Sequence, residues 1–192
     1  MAMMFVMRFG FGGFSLEGKQ WWILKSSPIR PFHLILAKYT LAFIPPVLFG
    51  VAYLIIAALL RGVQWGSLAY QILAEAIVVA GLSALSLSFG IWGARFDWSN
   101  PNEISGGAAG CVGSILSFIF VGISGGIVIG LPLLVETLDW ATWIGYAGAL
   151  LLAALVSIFG GGVPLFFASQ RIPRLGEEKD AMPGKKNLKQ PK

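Results

Sequence analysis

Gly13–Gln20 reads GFSLEGKQ, and its first seven residues have the G-x-x-x-x-G-K spacing that cradles nucleotide phosphates. That chemistry needs a buried strand before the glycines, a helix opening after the lysine, and a Ser or Thr hydroxyl next to hold Mg²⁺. Gln20 stands where the hydroxyl belongs, Pro28 interrupts whatever follows within two turns, and no later apolar strand ends in an aspartate to hold the metal. A nucleotide site is therefore not expected here. The same residues read as a short amphipathic helix on a membrane surface. Ser15 caps it, Glu17 sits in its first turn where the helix dipole favours a carboxylate, and Trp21, Trp22, Ile23 and Leu24 supply apolar bulk.

The remaining reactive residues are few. Glu75 is an acid inside an apolar run, the usual mark of a functional intramembrane group, but about one turn from the run's outer end it also reads as a hydrated interfacial acid. His33 is the single histidine, and its basic, interfacial surroundings suit snorkelling or capping better than a catalytic triad. Asp97 and Glu103 share one loop with Arg95; a loop-stabilising ion pair or amide cap fits them better than a metal centre, because no histidine or third acid accompanies them. Cys111 is the only cysteine, which excludes an intrachain disulfide and any multi-cysteine metal site. No metal, cofactor or catalytic residue is expected.

The elements that must carry these residues are membrane helices. Of the 192 residues, 56% are hydrophobic and only 12% charged, about half the charged share of an average soluble domain. The mean hydropathy is +0.77. Four apolar segments, about 40–60, 71–94, 108–135 and 141–168, are long enough to cross a bilayer, which takes about 20 residues. They are too long and too little alternating for barrel strands. The net charge of +5 does not point to nucleic acid, because the basic residues lie at the ends and no aromatic-interleaved basic patch exists. Of the 14 Lys and Arg, all but Arg61 fall before the first segment, between the second and third, or after the fourth. The positive-inside rule then puts both termini in the cytoplasm.

The expected fold is thus an all-α integral membrane bundle of four transmembrane helices, preceded by a cytoplasmic amphipathic elbow helix, N-in and C-in. Residues 1–39 form the cytoplasmic N-terminal segment, 40–168 the transmembrane domain and 169–192 a basic, disordered tail. Small residues at spacing four mark close helix contacts in lipid: Gly122, Gly126 and Gly130 in the third span; Gly145, Ala149, Ala153, Ser157 and Gly161 in the fourth; Ala80, Ala84 and Ser88 in the second. Pro45 and Pro46 are expected to kink the first span.

Two pieces carry a family resemblance. SLEGKQWWILKSSPIRPFHLILAKY (15–39) resembles the cytoplasmic elbow of type-2 ABC exporter permeases, matching at Glu17, Gly18, Ile23, Leu24, Ser26, Ser27, Pro28, Ile29, Leu34, Leu36, Ala37 and Lys38. RFDWSNPNEISGG (95–107) resembles a cytoplasmic loop in a bacterial branch of that family, matching at Phe96, Asp97, Trp98, Asn100 and Pro101. The chain is shorter than such permeases and resembles their C-terminal part. The resemblance implies a permease subunit of an exporter, not itself an enzyme, in the cell membrane. It implies as partners a separate ATP-binding cassette ATPase and other membrane subunits or a second copy. Glu17, Gly18, Trp21, Trp22, Ser26, Ser27 and Pro28 would then couple to the ATPase, with Arg95, Asp97, Trp98, Asn100 and Pro101 on a second cytoplasmic loop. The other reading is a non-transporting accessory or assembly subunit of a larger membrane complex.

Overall fold

The computed structural model describes Val6 and residues 31–93, 108–138 and 142–170. The described residues form helices α1 (Pro31–Arg61), α2 (Trp65–Trp92), α3 (Ala108–Thr137) and α4 (Thr142–Ser157), then a π-helical turn (Ile158–Gly162) and α5 (Val163–Ser169). The last three run on as one rod, so four rods are each long and apolar enough to cross a membrane. Their outward residues are large and apolar: Leu60 is 83% exposed and Leu59 69%. Apolar faces this extensive belong in lipid rather than water.

α2 is the central helix. From Gly81 to Ile91 every residue is buried, whereas α1 and α3 show broad outer faces. Val79, Leu82, Leu85 and Phe89 of α2 meet Phe120 of α3 and Val6, with Phe43 and Val47 of α1 packed alongside. A second cluster joins Ile35 of α1, Leu87 and Ile91 of α2, and Ala168 of α5.

The closest approach is between α2 and the π-helical turn. A Cβ at Gly81 would lie 2.6 Å from Phe120 and 2.7 Å from the Ser157 side chain, and a Cβ at Gly161 would strike the Gly81 carbonyl oxygen. Only glycine at both positions lets the backbones touch. Gly145, Ala149, Ala153, Ser157 and Gly161 are all buried. Gly122, Gly126 and Gly130 point elsewhere: a Cβ on any of them would meet nothing within 4 Å.

One sequence expectation changes. The short loop expected at about 61–70 shrinks further, to residues 62–64, because Gly62 takes a positive φ of 64° and the Val63 N–H reaches the Ala58 carbonyl at 3.1 Å. This is the Schellman closure of α1. Gln64 then accepts from the Leu68 N–H at 3.1 Å and starts α2 six residues earlier than its apolar run. Pro45 and Pro46, expected to kink the first span, lie inside the single 31-residue helix α1.

The prolines remove helical donors, and other helices replace them. The Ala42 carbonyl would normally accept from residue 46, which is a proline without an N–H. The Ser83 hydroxyl of α2 donates to that carbonyl at 3.2 Å instead. Pro132 leaves the Val128 carbonyl in the same state, and the Tyr70 hydroxyl donates to it at 2.6 Å. In a bilayer an unpaired carbonyl has no water to turn to, so these two bonds tie the helices at the points where the prolines weaken them.

Candidate functional site

The earlier start of α2 moves Glu75 away from the membrane surface. It lies ten residues into the helix, about 15 Å along the axis from Trp65. Opposite it on α1 is Gly50, and the Glu75 carboxyl group occupies the space a side chain at position 50 would take. One turn earlier on the same helix lies Gln71, whose amide donates to the Ser67 hydroxyl at 3.4 Å. Glu75 Oε2 is buried and has no hydrogen-bond partner. Burying a polar atom without a partner is costly, and a charged one more so.

Glu75 also lines a cavity of about 1270 Å³ between α1, α2, α3 and the start of α4. Drug-sized ligand pockets usually hold about 300–1,000 Å³, so this one is at the large end. Its walls are mostly apolar, with tyrosines at Tyr53, Tyr70 and Tyr146 and a second carboxyl group at Glu136. Tyr70 and Tyr146 meet edge to face, their centroids 4.7 Å apart and their planes at 63°. Tyr70 is held by its bond to Val128, so Pro132 indirectly fixes one wall of the cavity. Among the described residues no Lys, Arg or His lines it.

Of the site residues read from the sequence, Glu75 alone lies in this cavity. Glu17, Gly18, Trp21, Trp22, Ser26, Ser27 and Pro28 lie outside the described residues, as do Arg95, Asp97, Trp98, Asn100 and Pro101. Gly145, Ala149 and Ala153 are buried; Gly145 faces Pro132 and Val135 of α3, at 3.2 and 3.1 Å from its would-be Cβ. His33 and Cys111 are exposed and distant in sequence from the cavity residues. Among the described residues no group of three His, Cys, Asp or Glu could hold a metal. Gly50, Tyr70, Tyr146 and Glu136 escaped the sequence reading. Gly50 carries no local signal, since glycine is the commonest way to fill any tight spot and there are 25. The tyrosines could have been found as polar-tipped aromatics flanking Glu75 and Pro132.

The architecture is all-helical among the described residues, with four rods long and apolar enough to cross a membrane and a mostly apolar cavity with a few polar groups among them. The chain belongs to the family described as "Putative ATP-binding cassette", whose model matches residues 2–165. No curated protein and no solved structure matches it. The family match places the chain in an ABC transport setting and corrects three expectations. The family is one of ATP-binding cassettes, so it points to the ATPase side and not to a type-2 exporter permease subunit energised by another chain. ATP binding and hydrolysis is an enzymatic activity, which overturns the expectation of no enzyme. The accessory or assembly reading gains no support from it either. The permease resemblance takes its motifs from two short pieces, 15–39 and 95–107, and with the span pattern covers about residues 15–170; the family model matches residues 2–165.

Proposed function

We propose that the chain is a membrane-embedded cassette protein that links ATP to the movement of a ligand held at the Glu75 cavity, in the cell membrane. The observation that carries this reading is the family match, because it joins the Gly13–Lys19 stretch and the membrane-length helices in one unit. The polar groups on the described cavity walls are acids, tyrosines, Ser67 and Gln71, with no cation for a phosphate among them, so phosphate contact falls to the polar segments outside the helices. Gly13–Lys19 is the stretch there with the glycine and lysine spacing that phosphates need, although it lacks the magnesium-binding hydroxyl. The basic bias of the ends supports an N-in, C-in topology, which would put this stretch on the ATP side. The open face at Gly122, Gly126 and Gly130 is the surface on which a second copy would pack.

The test is nucleotide binding and turnover by the purified chain in nanodiscs. Wild type is expected to bind and hydrolyse ATP. Lys19→Ala is expected to weaken binding by about tenfold to a hundredfold, the worth of one charge-assisted phosphate contact. A wild-type chain that neither binds ATP nor hydrolyses it sinks the reading.

A further inference from the structure

The Glu75 cavity joins four features that bear on one ligand class. A carboxyl oxygen is buried without a partner. That carboxyl group is seated in a notch kept open by Gly50. Three tyrosine rings and a second carboxyl group, Glu136, share the walls with apolar side chains. Among the described residues no basic side chain lines the space to neutralise either acid. Intramembrane acids that lack a partner in the protein mark ion or substrate positions. A small metal cation would need several oxygen ligands close together, and here the polar groups are spread over a space of about 1270 Å³. The rings offer π faces to a weakly hydrated organic cation, which also loses little on leaving water. An anion would meet two carboxyl groups.

We propose that this cavity binds a bulky, monovalent hydrophobic cation, its charge against Glu75 and its apolar groups against the tyrosines and the aliphatic wall. This rests on the proposed function only in supplying the ligand of that cavity; binding itself needs no ATP. The source is a freely partitioning organic cation and not the zwitterionic headgroup of a bilayer lipid, since the phosphate of such a headgroup would lie among the acids.

The experiment uses the full chain in nanodiscs and two probes of equal shape, radiolabelled tetraphenylphosphonium and tetraphenylborate, each measured by saturation binding without nucleotide. Expected is saturable binding of the cation and none of the anion. Glu75→Gln is expected to weaken the cation by about thirtyfold, the scale of removing one partner of a buried charge pair. Gly50→Ala, which pushes the carboxyl group out of its notch, should weaken it with Glu75 still present. Size exclusion and thermal unfolding establish that each variant is folded; a misfolded Gly50→Ala leaves the Glu75→Gln comparison to decide. Equal binding of both probes, no saturable cation binding, or an unchanged affinity in Glu75→Gln overturns the proposal. Excess zwitterionic lipid that competes away the cation also overturns it, by making the site a lipid site. Loss of ATP turnover in wild type with Glu75-dependent cation binding intact would defeat the proposed function and leave this inference standing.

Discussion

The Tyr70 hydroxyl supplies, from α2, the hydrogen bond that Pro132 takes away from α3. It donates at 2.6 Å to the Val128 carbonyl, the group that residue 132 would cap in an uninterrupted helix. The pairing makes a proline in one helix and a tyrosine in another a single structural unit.

That unit can be tested by a mutant cycle. Tyr70→Phe leaves a carbonyl unpaired in an apolar setting and should cost about 1–3 kcal/mol in unfolding measured in detergent micelles. Pro132→Ala restores the missing N–H. The double variant Tyr70→Phe/Pro132→Ala should therefore lose less than Tyr70→Phe alone does. Strict additivity would show that the hydroxyl and the proline are unrelated.

The same logic applies to Ser83 and Pro46 with a smaller effect. Ser83→Ala should cost about 0.6 kcal/mol, the usual scale of an interhelical bond in a membrane protein. Pro46→Ala should cancel part of it. Pro46 is itself fully buried, so the proline variant also needs its packing cost measured alone.

The α2 crossing separates two kinds of glycine. Gly161→Ala drives a methyl against the Gly81 carbonyl oxygen, which is backbone and cannot swing aside. It should destabilise by about 1–3 kcal/mol. Gly126→Ala fills open space. It should leave the unfolding of the single chain unchanged within about 0.5 kcal/mol, while chemical cross-linking of the chain in membranes should fall if a second copy uses that face. Equal destabilisation by both variants would contradict the packing described here.

Cys111 offers a native probe of topology. It is the only cysteine, it is exposed, and it stands at the start of α3. With both termini inside, a membrane-impermeant maleimide should label it in inverted vesicles and not in right-side-out ones. Moving the thiol to the opposite end of the bundle, with Cys111→Ser and Trp65→Cys together, should reverse the pattern.

Composition and length sufficed to locate four spans, because helices of about 20 apolar residues leave an unmistakable hydropathy record. Their ends were harder. Trp65–Tyr70 looks like a loop by composition and is the first turn and a half of α2, since Gly62 and Gln64 close the turn with backbone bonds. That error alone put Glu75 near the surface. The π-helical turn was equally hidden: Gly160–Gly162 announces flexibility, not a change in helical pitch. The four prolines in the spans were visible, but the hydroxyls that serve Ala42 and Val128 stand 41 and 58 residues away in sequence. Contacts of that range leave no periodic trace. Two small-residue stripes with the same spacing meet opposite fates, buried at Ala149 and Ala153 and open at Gly126, because spacing records what a helix can do and not which neighbour it has.

The three-residue turn at Gly62 has a mechanical consequence. With residues 62–64 between them, the joined ends of α1 and α2 are leashed within about 14 Å. α3 and α4 are joined almost as tightly, across residues 138–141. The helices therefore form two hairpins, and the Glu75 cavity is the gap between their mouths, with Phe49, Glu75 and Tyr70 on one jaw and Val128, Pro132 and Tyr146 on the other. The jaws meet again at the Gly81–Gly161 crossing, where the backbones touch and neither can slide through the other. A side chain at either glycine would force the two hairpins apart at that crossing.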